Sequence, residues 1–272
     1  MTSVLALTAS VLFGFGDFGG GLAARRLPPL KVVAWSQVFG LPVLVLGLLV
    51  VPAASVGWAD LAWGAAAGAT GLVGLVLLYS SLAEGTMSVV APITGAVAAG
   101  VPVIVDIVGG TRLTGTQTLG VVTALASIVL LSGMGRGSLT PALAVRAATA
   151  GVGLAGFAVA IAQTPVASGV WPLVGARSVS ITLALAFATG MAGRVVGSGS
   201  IGLLALVGVL DQGANVAMAL AIQRGPLGIV AVLSSLYPAV TVLTAIAVLR
   251  ERPGRGEVLG IGLAGAAVVL LV

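Results

Sequence analysis

The chain has 272 residues, 59% of them hydrophobic and only 7% charged, with a mean hydropathy of +1.23. A globule of this size needs far more polar surface to stay dissolved, so a soluble fold is excluded, and the net charge of +5 marks helix ends rather than a nucleic-acid surface. With no cysteine and no histidine, disulfides, thiolate chemistry, His-based metal sites and His proton relays are excluded too, and any proton work falls to carboxylates.

Ten apolar runs follow one another: 3–23, 32–53, 61–82, 86–108, 117–134, 143–162, 169–190, 199–221, 226–249 and 256–272. Each is close to the ~20 residues that cross a hydrocarbon core as a helix. None shows the short alternation of a membrane β-barrel, so each must satisfy its backbone as a helix. The expected class is an all-α integral membrane protein of about ten transmembrane helices. Met1–Gly21 lacks a basic n-region and is read as a retained first helix rather than a signal peptide.

Polar groups within such runs are costly and are the first candidates for a transport pathway. The first run carries Asp17 inside GFGDFGGG, where glycines let a substrate or a neighbouring helix come close; the alternative is a structural hydrogen bond to the second run. Trp35, Trp58, Trp63 and Trp171 sit near run ends, as anchors at a membrane interface do. Gly64, Gly68 and Gly71 give the third run a small-residue face for close packing, and Tyr79 at its end is expected to face the pathway. In the fourth run Thr94 is a cavity candidate and Asp106 an expected local partner of Arg112, while Glu84 and Arg224 read as solvated or gating charges.

The short basic stretch Gly133–Pro141 (GMGRGSLTP) is the expected linker between halves 1–138 and 139–272. Beyond it, Arg146 and Arg177 look peripheral. The eighth run holds the densest polar cluster, Asp211, Gln212 and Asn215; the first and last of these share a face that could accept and donate at once, suiting an amine or zwitterion. In the ninth run Ser234 and Tyr237 face one side, beside Pro238, whose missing N–H frees a carbonyl one turn earlier.

The halves repeat. Gly85, Arg112 and Gly120 recur as Gly225, Arg252 and Gly260 at a constant offset of 140 residues. Five helices per copy send the second into the membrane from the opposite side, giving two inverted five-helix repeats. Such folds place a substrate site near the midplane and work by alternating access. Nine of the twelve Lys and Arg fall in odd-numbered connections, against Arg112, Arg177 and Arg224 in even ones, which by the positive-inside rule puts both termini outside.

Residues 221–252 (AIQRGPLGIVAVLSSLYPAVTVLTAIAVLRER) and the following Gly256-Glu257-Val258-Leu259-Gly260 resemble the signature of EamA-type transporters in the drug/metabolite transporter superfamily. Ser234, Ser235, Leu236, Pro238, Glu251 and Gly260 stand at motif positions. The first copy, 82–120, is similar but degraded, with Ala98 opposite Pro238 and Thr111 where the family has Glu; Phe13-Gly14 stands where it has Trp-Gly. The resemblance implies a ten-helix basket around a central cavity, passage of a small metabolite, and cytoplasmic termini, the reverse of the charge count.

No catalytic arrangement competes, and no phosphate-cradling loop is present, so neither an enzyme nor a nucleotide-driven pump is expected. The expectation is a multi-pass cell-membrane secondary transporter of small polar or amphipathic metabolites, amino acids among them. Asp17, Tyr79, Thr94, Asp211, Gln212, Asn215, Ser234 and Tyr237 are the candidate substrate contacts, with Asp17 or Asp211 as the proton-coupling carboxylate. Alternatives are an electroneutral exchanger of the sugar-phosphate type and a non-transporting scaffold. Expected partners are a small-molecule substrate, the lipid bilayer, protons and a second copy of the chain, with no cofactor and no metal.

Overall fold

The computed structural model describes residues 1–85, 87–131, 140–189, 198–249 and 254–272. The first half holds α1 (Thr2–Ala24), α2 (Pro29–Val50), α3 (Trp58–Glu84), α4 (Met87–Val108) and α5 (Gly115–Leu131). The second holds α6 (Pro141–Ile161), α7 (Pro172–Thr189), α8 (Ser198–Ile222), α9 (Leu227–Ser234), α10 (Tyr237–Leu249) and α11 (Arg255–Leu271), with one 3-10 turn at Val166–Ser168. No strand occurs among the described residues. Six of these helices are long and apolar enough to cross a membrane, and 115–131, 172–188, 227–241 and 258–271 are shorter apolar stretches. The chain is a multi-pass membrane protein.

The ends of the helices follow local chemistry. Thr114 and Gln117 form a reciprocal capping box at the start of α5: Gln117 Oε1 accepts the Thr114 N–H at 2.9 Å, and Thr114 Oγ1 accepts the Gln117 N–H at 3.2 Å. Pro at the first helical position and the Thr140 hydroxyl, which accepts the Leu143 N–H at 3.2 Å, open α6. Asp60 accepts the Gly57 N–H at 2.8 Å ahead of α3.

Two expectations about elements are corrected. The ninth run, 226–249, is broken at Ser235–Leu236 into α9 and α10. Pro238 lacks the N–H that would continue the ladder to Ser234, and the chain tightens instead, with Leu236 N–H donating to Leu233 O at 3.3 Å. Arg177, assigned to a connection in the charge count, lies inside α7 and is 7% exposed. Of the even connections, only Arg112 and Arg224 then keep a basic residue. Arg136 and most of the 133–141 linker, with Arg194, Arg250, Glu251 and Arg252, lie outside the described residues.

The halves interlock rather than sit side by side. α1 packs on α8 and α3 on α6; α2 packs on α8 and α3 on α7; α4 packs on α6 and α1 on α10. Exchanging the halves turns each of these pairings into its companion, and the fifth helices, α5 and α11, pack on each other. At one end of the bundle Arg146 of α6 pairs with Glu84 at the end of α3, N to O 2.7 Å, so Glu84 is an exposed charge, as the sequence suggested, with a cation beside it. At the other end the N–H groups of Ala54 and Ser55 donate to Ala167 O at 2.8 and 3.2 Å, and Gln223 Nε2 donates to Gly169 O at 2.9 Å.

Glycine sets how close the halves come. A Cβ on Gly68 would run into the Ala176 carbonyl of α7, and one on Gly64 into that of Pro172. Backbone cannot yield as a side chain can, so Gly68→Val is expected to cost more than the roughly 1–3 kcal/mol of ordinary overpacking. Gly262, where an added methyl would meet nothing within 4 Å, is the control: Gly262→Ala is expected to stay within about 0.5 kcal/mol. Thermal unfolding in detergent reads both, and equal midpoints for the two variants contradict the backbone contact.

Candidate functional site

One cavity, enclosing about 760 Å³ with its mouth included, lies between the halves and is lined by helices of both. Neither α5 nor α11 reaches it. Its walls keep the 140-residue repeat: Asp17 and Phe157, Gln37 and Arg177, Gly71 and Asp211, Leu75 and Asn215, and Leu78 and Met218 are equivalent positions, and all ten residues line it. The frame is symmetric and the chemistry is not. At these positions the second copy supplies Arg177, Asp211 and Asn215, and the first supplies Asp17 and Gln37.

Arg177 organises one wall. Its Nη2 donates to Asp211 Oδ2 at 2.7 Å and its Nε to Gln212 Oε1, joining α7 to α8 in a buried network. Asn215 Nδ2 donates back to the Asp211 carbonyl at 2.7 Å, one turn earlier on α8. One turn beyond Arg177 on α7, Ser180 Oγ donates to Gln37 Oε1 of α2 at 2.7 Å. Asp17, 6% exposed, lines the cavity and makes no hydrogen bond with the described residues. Phe13, four residues earlier on the same face of α1, also lines the cavity and meets Tyr237 edge-on, with ring centroids 6.5 Å apart.

The structure brings Asp17, Asp211, Asn215, Ser234 and Tyr237 together around this space. Three other candidates stand behind it. The Tyr79 ring is buried against Gly20 of α1 and does not line the cavity, so it is not exposed there as the sequence suggested. Thr94 is committed to the α4–α6 contact, donating to Ala147 O at 3.0 Å. Gln212 holds Arg177 from behind, with its Nε2 buried and unpartnered. Asp106 accepts the Gly228 N–H at 2.7 Å and so tethers the start of α9 to α4, rather than pairing with Arg112.

Arg177 is the cavity-lining residue that sequence reasoning misjudged as peripheral. The signal was present: an Arg inside the run 169–190 carries the same insertion cost that singled out Asp17 and Asp211. The Asp211/Asn215 face also changes meaning, because the Asn215 amide is spent on its own helix and Asp211 already has a cation.

The model of the EamA-like transporter family matches residues 1–133 and again 140–272. The chain belongs to the EamA-like transporter family. Among curated proteins no significant match was found. Among solved structures 28 chains match; one, a crystal structure of a protein sharing 18% sequence identity, superposes with a TM-score of 0.74 over 99% of this chain and 95% of its own. At that identity the likeness speaks for the fold alone. In this EamA-like protein, therefore, the two matched stretches are the two halves that frame the cavity.

Removing one member of a buried ion pair strands the other charge, which costs about 3–5 kcal/mol, whereas replacing both by apolar residues is often neutral. Arg177→Leu is accordingly expected to lower the unfolding midpoint in detergent by more than the double variant Arg177→Leu/Asp211→Leu. A single variant as stable as the double contradicts the pairing.

Proposed function

We propose that this EamA-like protein is a secondary active transporter of the cell membrane that moves small amphipathic metabolites by alternating access between two inverted five-helix repeats, 1–138 and 139–272. The supporting observation is the cavity itself: walled by both halves at repeat-equivalent positions, largely apolar, and holding in Asp17 a buried carboxylate with no hydrogen-bond partner among the described residues. Inversion agrees with the end contacts, since α3 ends where α6 begins, while the end of α8 meets the start of α1, where a Cβ on Gly225 would strike Thr2. Counting α9 and α10 as one broken crossing gives ten membrane passages.

Asp17 is the proton-coupling group in this reading. Asp211 is held by Arg177, so its charge is balanced within the protein in every step that keeps the pair. Among the described residues Asp17 has no such partner, which leaves a substrate or a proton to balance it. Binding one in exchange for the other couples the two without a nucleotide-driven step, provided each occupant favours a different facing of the cavity. A scaffold would have no use for a cavity that buries an unbalanced acid.

The test is counterflow and pH-gradient-driven flux in proteoliposomes against a metabolite panel. Asp17→Asn is expected to abolish the dependence of flux on the gradient, while Asp211→Asn mainly destabilises the protein. Full gradient-driven transport by Asp17→Asn, with unaltered pH dependence, would sink the coupling role.

A further inference from the structure

Among the described residues, the charged groups that line the cavity are Asp17, Arg177 and Asp211. Arg177 donates from its Nη2 to Asp211 and from its Nε to Gln212, all three buried, so the charge of this cation is balanced inside the protein. With Asp17 ionised, the cavity carries one excess negative charge, on a carboxylate that no donor among the described residues satisfies. A carboxylate in an apolar wall without a partner is costly, and a ligand cation is what relieves that cost.

A second feature points the same way. α9 ends at Ser234, which lines the cavity, and Pro238 withholds the N–H that would have reached the Ser234 carbonyl. The C-terminal end of a half-helix carries partial negative charge and unsatisfied carbonyls, and it favours cations. The aromatic rings of Phe13, Phe157 and Tyr237 all line the same space, and aromatic rings attract an ammonium. The rest of the wall near them, with Leu72, Leu75 and Met218, is apolar.

We propose that the cavity selects amphipathic monoamines: an ammonium seated at Asp17 with an apolar body against the leucine and aromatic walls. Zwitterionic amino acids and organic anions are disfavoured. Their carboxylate would meet Arg177 as a second anion on a guanidinium whose charge Asp211 already balances, and would face the Asp17 carboxylate as well. This narrows the amine-or-zwitterion expectation of the sequence to the amine, and it rests on the cavity being the substrate site. The groups surrounding Asp17 that could alter its charge are Asp211 on α8, Tyr79 on α3 and Tyr237 at the start of α10, with Arg177 beyond Asp211. None of these is a cation free to replace the ligand.

The experiment is calorimetric binding to the purified full-length protein of four probes on one skeleton: phenethylamine, phenylalanine, 3-phenylpropionate and 2-phenylethanol. Phenethylamine is expected to bind at least about tenfold more tightly than each of the others. Asp17→Asn is expected to erase that advantage and Asp17→Glu to retain part of it; 2-phenylethanol makes the same comparison on the unaltered chain if the variants fail to fold. The proposal is overturned if phenylalanine or 3-phenylpropionate binds as tightly as the amine, if the alcohol matches the amine, if folded Asp17→Asn binds the amine unchanged, or if phenethylamine does not bind. Flux separates this from the transporter reading: amine binding without transport upholds the cation site and removes the transporter, whereas transport of phenylalanine in preference to the amine overturns the cation site and leaves the transporter standing.

Discussion

In a bilayer no hydrophobic force drives one helix onto another, so the association of the two halves must come from close packing and from polar contacts. The tightest packing here is backbone on backbone. Gly64 and Gly68 of α3 lie against the carbonyls of Pro172 and Ala176, and Gly208 of α8 lies against the carbonyl of Ser36 in α2. These are repeat-related seams, the third helix of one half against the second helix of the other. A methyl at any of them would push the halves apart. Because the seams fix where the second and third helices run, they also fix the gap that remains between them, and that gap is the cavity.

Within that frame the cost of charge decides what each wall can be. Arg177 and Asp211 are tolerated inside the protein because each balances the other at 2.7 Å, with Gln212 behind them. Such a pair contributes little net stability compared with an apolar wall, but it fixes the relation of α7 to α8 and leaves no spare cation facing the cavity. Asp17 is the contrasting case, buried and without a hydrogen-bond partner among the described residues. One half carries a self-contained charge pair and the other an open charge, so duplication has supplied a symmetric container with asymmetric contents.

The break between α9 and α10 belongs to the same logic. Irregular backbone is tolerated at membrane depth where it is buried in protein or lines a cavity. Ser234, Ser235 and Tyr237 at the break do line it. Asp106, reaching from α4 to the Gly228 N–H, anchors the start of the short α9, so the fourth helices of the two halves are tied at the end of α9 away from the break.

Much of this was legible in the residues, and the exceptions have physical reasons. Helix limits followed from apolar run length, because a bilayer imposes length on any segment that crosses it; the duplication followed from a constant offset, and membership of the family from the motif around Ser234–Pro238. The candidates Asp17 and Asp211 followed from the insertion cost of an acid, and applied evenly the same rule would have flagged Arg177. What sequence could not separate was the fate of the two acids, since a carboxylate satisfied by a distant guanidinium and one left open look alike in a linear chain. Tyr79, Thr94 and Asp106 were misplaced for the same reason: whether a polar group faces a cavity or a neighbouring helix depends on helix rotation, which weakly amphipathic membrane helices do not encode in their pattern. The sequence by itself determined solvent, helix order and repeat, because these depend on local composition. Tertiary structure alone decided which charges cancel and which remain, because that depends on contacts between residues as far apart as 17, 177 and 211.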